Sequence, residues 1–222
     1  MVSHIVSRLL EQRVLHIRGT PASGKTTLLD LIHHYLAMNH SGIAVRSIQW
    51  RTLLNGKSSH EAILNFMGET DLTLLGESAS EKCILIDEAQ DCYNDSFLWN
   101  RIKAIDDASE NVGLIIVLAT AYGSATVMPA DLPDGTAPTL DPSQRLSIRP
   151  IERETVSLCL DQEEMEDVIR RGMRLANWEI PFADDMIAWL HELTSGHTGA
   201  LSAILRKIFE DHVSILYLPE FD

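Results

Sequence analysis

Apolar positions recur at helical spacing from Ser3 to Arg13, where Ile5, Val6, Leu9 and Leu10 share one side, and then close up into the run Val14-Leu-His-Ile17. That change of period predicts a helix followed by a strand. A Gly/Pro/Ser loop covers Gly19 to Gly24, and helical spacing returns over Lys25 to Met38 through Leu28, Leu29, Ile32, Tyr35 and Leu36. Gly42 precedes a second strand, Ile43 to Trp50, which completes a β-α-β unit. Farther on, Ser58 to Gly76 predicts one or two short helices, Lys82 to Asp87 a third strand, Ser96 to Ala108 a helix and Val112 to Ala119 a fourth strand.

Near-continuous apolar strands alternating with helices imply a parallel sheet buried on both faces. Residues 1–150 therefore read as an α/β core, a three-layer αβα arrangement. Pro, Gly, Asp, Ser and Thr dominate from Tyr122 to Gln144, which predicts a long loop, with a short strand at Leu146 to Arg149 and an extended piece at Thr155 to Leu160. Beyond residue 150 the pattern turns helical. Asp161-Gln-Glu-Glu164 has capping-box spacing and opens a helix to about Ala176, and further helices are expected over Phe182 to Leu193 and Ala200 to His212. Residues 151–222 thus read as a small helical subdomain.

The chain has 222 residues, 45% hydrophobic and 23% charged, with a formal net charge of −14. That balance excludes disordered, collagenous and coiled-coil classes and argues against nucleic-acid binding by bulk charge. The longest apolar runs, Val112 to Ala119 and Cys83 to Ile86, fall far short of the roughly 18 apolar residues of a membrane span. The N-terminus lacks the pattern of a secretory signal, and three cysteines without C-x-x-C spacing fit a reducing compartment, so an intracellular setting, cytoplasmic or nuclear, is expected.

Gly19-Thr-Pro-Ala-Ser-Gly24-Lys25-Thr26 satisfies G-x-x-x-x-G-K-[ST] at every fixed position, between a predicted strand and a predicted helix. Glycines let the backbone of the stretch Gly19, Thr20, Pro21, Ala22, Ser23, Gly24, Lys25, Thr26 and Thr27 bend so that its N–H groups converge on phosphate oxygens at the positive end of the helix. Lys25 would bridge the terminal phosphates and the Thr26 hydroxyl would ligate Mg²⁺. The second signal is Cys83-Ile-Leu-Ile-Asp87-Glu88, an apolar strand ending in paired carboxylates. There Asp87 could hold the metal shell while Glu88 polarises an attacking water.

With these motifs the chain resembles P-loop NTPases of the additional-strand class, Gly19 to Thr26 standing as Walker A and Cys83 to Glu88 as Walker B. The resemblance implies ATP or ADP as ligand with Mg²⁺, hydrolysis of ATP, and a helical lid that closes over nucleotide. It also implies roles farther along: Thr120, at the end of the fourth strand, matches the sensor 1 position that orients the lytic water. Arg145, in Gln144-Arg145, matches the placement of an arginine in AAA+ and STAND ATPases that acts on the γ-phosphate in cis, or in trans within a homo-oligomer. Leu193-Thr-Ser-Gly196-His197-Thr-Gly-Ala-Leu201 resembles the lid of the origin-recognition and STAND branches, which would bring His197 to the nucleotide, although many relatives carry Asn or another small polar residue there.

More narrowly, Arg18 to Thr27, Leu85 to Gln90, Leu98-Trp-Asn100, Tyr122-Gly-Ser124 and Thr194 to Gly199 together are similar to the NTPase domain of crinkler-type effector proteins. That likeness implies a protein partner and leaves delivery into a host cell open, while the leader and the nuclease or kinase-like module of such effectors are not visible in this sequence. Two other readings use the same motifs: a nucleotide-dependent switch with little turnover, and a helicase or translocase suggested by the DExx-like Asp87-Glu-Ala-Gln90. The acidic charge ranks the helicase last.

Overall fold

A computed structural model describes residues 2–50, 58–67, 81–92, 95–106, 113–121, 140–146, 158–175 and 182–216. The expected loop at 122–139, the remainder of the 58–76 helical region, most of the 146–149 strand, the 150/151 boundary and Trp178 lie outside the described residues. The chain divides into two compact units, one of Met1–Thr20 with Lys25–Val156 and one of Pro21–Gly24 with Ser157–Asp222.

In the first unit, helix α1 (Val2–Gln12) leads into strand β1 (Val14–Gly19), followed by α2 (Lys25–Asn39), β2 (Ile43–Gln49), α3 (Ser59–Met67), β3 (Glu81–Asp87), α4 (Ser96–Asp106), β4 (Leu114–Ala121) and β5 (Arg145–Leu146). Every observed pairing is parallel, in the order β2-β3-β4-β1-β5. The fourth strand in sequence is thus inserted between the strand feeding the Gly-rich loop and the strand ending in Asp87. Parallel strands all deliver their carboxyl ends to one edge, where such sheets bind ligands.

The alternation of side chains along each strand explains the two covering layers. Val14, Ile84, Ile86, Ile116 and Leu118 form one core with Ala62 and Ile63 of α3 and Leu98, Trp99 and Ile102 of α4. Leu15, Ile17, Cys83, Leu85, Ile115 and Val117 are equally buried on the alternate positions, as are Ile5 and Leu9 of α1 and Leu28 and Ile32 of α2. Helices α1 and α2 contact each other, and α2 contacts β1, β2, β3 and β4. Each buried Val, Leu and Ile among them contributes about 1.5–3 kcal/mol by leaving water, so the central strands β1, β3 and β4 are the rigid platform of the unit.

Boundaries differ from the sequence expectations where local chemistry intervenes. Strand β4 runs from Leu114 to Ala121, two residues beyond the expected end, and Val112, its expected start, lies outside the described residues. Strand β5 starts earlier than expected, at Arg145, because Asp141 and Gln144 close a capping box around a 3-10 turn at Pro142–Gln144 that delivers the chain directly onto β1. Arg8 of α1 staples this turn by donating to the carbonyl oxygens of Pro142, Ser143 and Arg145.

The second unit contains α5 (Gln162–Leu175), α6 (Asp184–Thr194) and α7 (Thr198–Leu216). Asp161 and Glu164 exchange the two hydrogen bonds of the predicted capping box. Met165, Ile169, Ile187, Leu190 and Leu201 form its core. Between α6 and α7 the chain turns through Ser195 and Gly196, both at positive φ, and the Gly196 carbonyl accepts from Leu160 N–H at 2.9 Å. A Cβ on Gly196 would fall 2.1 Å from the Leu160 oxygen, so the turn needs glycine for space as well as for φ. Among the described residues no helix is long and apolar enough to cross a membrane.

Candidate functional site

Gly19 closes β1, and six residues later Lys25 opens α2, so the loop Gly19–Thr26 joins the carboxyl edge of the sheet to a helix N-terminus. Ala22 and Gly24 take positive φ values of 60° and 89°, a conformation glycine adopts freely and alanine adopts at a cost of roughly 1–2 kcal/mol. A left-handed alanine in a phosphate-loop motif is the kind of local strain that clusters at functional sites. The Ser23 hydroxyl is buried and has no hydrogen-bond partner among the described residues.

Lys25 is buried, and its Nζ donates to the carbonyl oxygens of Gly19 at 3.1 Å and Thr20 at 2.8 Å. Burial lowers its pKa from the usual lysine value, and the carboxylates of Glu88 and Asp87 oppose that shift. Thr26, in the first turn of α2, donates from Oγ1 to Oδ2 of Asp87 at 2.8 Å. The other carboxylate oxygen of Asp87 accepts the N–H of Glu88 at 2.9 Å. Thr27 lies exposed on the same helical turn. The structure therefore gathers Lys25, Thr26, Asp87 and Glu88 at one edge of the sheet, through the two motifs that the sequence singled out.

Glu88 itself is exposed and sits at φ 51°, outside the strand. Gln90, on the 3-10 turn Ala89–Cys92, donates from its amide nitrogen to the Glu88 carboxylate and accepts the N–H of Ala121 through its amide oxygen at 3.3 Å. Sequence reasoning passed over Gln90 as a functional residue; its proximity to the paired carboxylates was the available signal.

Thr120 is fully buried at the end of β4, with Oγ1 2.9 Å from Nε2 of His16 on β1. Burial, with the nearby guanidinium groups of Arg18 and Arg145, holds the His16 pKa down at about 4, so the ring is neutral at physiological pH. His16 was also missed, because a histidine within a run of aliphatic residues reads as strand filling. Arg145 stands exposed on the edge strand β5, opposite His16 in register, and its guanidinium donates to the Leu140 carbonyl. Within the second unit, His197 precedes α7, and its Nδ1 accepts the Ala200 N–H at 3.1 Å, which satisfies one of the free donors of the helix start. Next to it, Thr198 Oγ1 donates to the Ala22 carbonyl at 3.2 Å, and a Cβ on Gly199 would fall 2.5 Å from both the oxygen and the Cβ of Ala22.

No protein-family model matches the sequence, and no curated protein is significantly similar to it. Solved structures do resemble it. A Walker-type ATPase of Pyrococcus abyssi matches with a TM-score of 0.54 and 16% identity over 90% of this chain and 63% of its own. The replication initiator DnaA bound to AMPPCP and single-stranded DNA matches with a TM-score of 0.54 and 16% identity over 99% of this chain and 60% of its own. AMPPCP-bound DnaA from Aquifex aeolicus matches with a TM-score of 0.50 and 14% identity over 93% of this chain and 59% of its own. The chain thus spans less than two thirds of each of these proteins. At such identities the likeness concerns the fold: a parallel αβα sheet of the P-loop NTPase type.

Proposed function

We propose that this protein binds ATP and hydrolyses it with the help of Mg²⁺. The observation that carries the reading is the Thr26–Asp87 hydrogen bond, which joins the end of the Gly-rich loop to the end of the carboxylate-bearing strand. Two hard oxygens within 2.8 Å of each other suit a small cation that takes few protein ligands and completes its shell with phosphate and water. When bound, Mg²⁺ would supply positive charge to the β- and γ-phosphate oxygens.

The protein's own groups divide the remaining work. Backbone N–H groups of the loop and the α2 N-terminus receive phosphate oxygens, and the buried Ser23 hydroxyl, without a partner among the described residues, offers a further donor. Lys25 neutralises charge developing on the terminal phosphate. Glu88, exposed beside Asp87, accepts a hydrogen bond from the attacking water and aligns it. Thr120, Arg145 and His197 keep their roles from the resemblance: Thr120 in water placement, Arg145 in charge neutralisation, His197 in nucleotide contact. The motifs Leu85 to Gln90 and Thr194 to Gly199 support a finer placement as an AAA+ or STAND-like module, similar to crinkler-type effectors, with a protein partner or a second copy as its target.

The decisive experiment is phosphate release from Mg·ATP by wild type, Lys25→Ala and Glu88→Gln, alongside nucleotide affinity for all three. Lys25→Ala should lose binding, and Glu88→Gln should bind ATP while hydrolysing at least about a hundredfold more slowly. Hydrolysis by Glu88→Gln at the wild-type rate would reject these roles.

One observation favours the alternative of a slow nucleotide switch: the Lys25 ammonium is engaged by the carbonyl oxygens of Gly19 and Thr20. A switch would retain nucleotide through purification and show little steady-state turnover.

A further inference from the structure

The Gln90 side chain makes two hydrogen bonds, and together they fix which way its amide points. Its oxygen accepts from the main-chain N–H of Ala121 at the end of β4, and its nitrogen donates to the Glu88 carboxylate. Reversing the amide would set two N–H groups against each other at Ala121 and two oxygens against each other at Glu88, so the network admits one orientation. The turn that carries Gln90 is itself anchored. Ala89 and Cys92 are fully buried, and the indole of Trp99 on α4 donates to the Cys92 carbonyl at 3.1 Å.

An exposed glutamate would otherwise sample several rotamers, and a carboxylate that must align a water loses rate with each one that misses. Glu88 already departs from the strand through a left-handed backbone, which aims its side chain but does not immobilise it. Gln90 supplies what the backbone does not: a donor from a rigid turn, referenced to the strand that also carries Thr120. With one carboxylate oxygen engaged, the other is left to receive the water.

We infer that Gln90 is a positioning residue for hydrolysis, holding the Glu88 carboxylate in register with the end of β4. The inference rests on the ATP-hydrolysing reading above. It implies unchanged nucleotide affinity, since Gln90 acts through Glu88 and not on the phosphates.

The test measures single-turnover hydrolysis, ATP affinity and melting temperature for wild type, Gln90→Ala, Gln90→Glu, Glu88→Gln and the double variant Gln90→Ala/Glu88→Gln. Gln90→Ala should lower the hydrolysis rate about tenfold and leave ATP affinity unchanged. Gln90→Glu preserves the acceptor for Ala121 but has no proton for Glu88, so it should be at least as slow as Gln90→Ala. In the Glu88→Gln background, Gln90→Ala should cost nothing further, because the residue through which it acts is already disabled. A purely structural role would instead slow both backgrounds alike and lower the melting temperature. Gln90 variants that hydrolyse at or above the wild-type rate, while wild type is active, overturn the inference alone. A wild type that binds ATP without hydrolysing it overturns the hydrolytic reading and this inference together.

Discussion

Thr26 and Asp87 are 61 residues apart in sequence, and their side chains meet at 2.8 Å. The contact arises because β1 and β3, separated by β4 in the sheet, end at the same edge, and the loop after β1 turns back to begin α2 there. Asp87→Asn keeps the shape and a hydrogen bond but removes the charge that a divalent cation needs. Phosphate release should fall about a hundredfold, and the Mg²⁺ concentration for half-maximal rate should rise about tenfold, while affinity for metal-free ATP stays the same or improves. A Mg²⁺ titration of the two proteins checks this; an unaltered metal requirement would remove Asp87 from the metal shell.

Glu88 is strained where it stands. Its φ of 51° disfavours any side chain but hydrogen, so glycine should be the most comfortable replacement. Both Glu88→Ala and Glu88→Gly lose the carboxylate and its bond to Gln90, which leaves the backbone as the difference between them. Glu88→Gly should be more stable than Glu88→Ala by about 1 kcal/mol in urea unfolding, the reverse of the usual order of these residues. Equal stabilities would mean that the left-handed geometry is absent in solution.

Much of this architecture is readable from the sequence because it depends on period. Strands β1, β3 and β4 announce themselves as near-continuous apolar runs since both of their faces are covered, and the Gly-rich loop is confined to one position between strand and helix. The cluster of Lys25, Thr26, Asp87 and Glu88 follows from motif and topology together. What the sequence conceals are side-chain partnerships across strands. His16 meets Thr120 only because β1 and β4 are adjacent, and that adjacency is a fact of sheet order that local pattern does not encode. Gln90 reaches Ala121 for the same kind of reason, 31 residues away. The capping of α7 by His197 Nδ1 is equally hidden, being set by one φ/ψ turn and not by periodicity.

Gly199 touches the Gly-rich loop closely enough that one methyl group has consequences. A Cβ there would lie 2.5 Å from both Ala22 O and Ala22 Cβ, far inside van der Waals contact, so the Pro21–Gly24 turn or the start of α7 must shift. Because the turn carries the N–H groups proposed to receive phosphate, Gly199→Ala should weaken ATP binding about tenfold, measured by calorimetry. Gly172→Ala is the matched control. Nothing lies within 4 Å of its added Cβ, and in the interior of α5 the change should stabilise by about 0.5–1 kcal/mol without altering affinity. Wild-type affinity in Gly199→Ala would show that the turn does not depend on this contact.

His16 makes stability depend on pH in a direction opposite to that of a salt-bridged histidine. Its pKa lies at about 4 in the folded protein against an ordinary 6.5, so between these values the unfolded chain binds a proton that the folded chain does not. Unfolding is therefore favoured as pH falls through 6.5, and the loss levels off only below about pH 4. Between pH 7 and pH 5 this single group should remove about 2 kcal/mol. The double variant His16→Leu/Thr120→Val replaces both partners with apolar groups of similar size, leaves no orphaned hydroxyl, and should fold. Urea unfolding of wild type and the double variant at pH 7, 6 and 5 isolates the effect, since carboxylates elsewhere contribute equally to both. Wild type should lose about 2 kcal/mol more than the variant over that range, and parallel curves would mean that His16 titrates normally and is not held neutral inside the sheet.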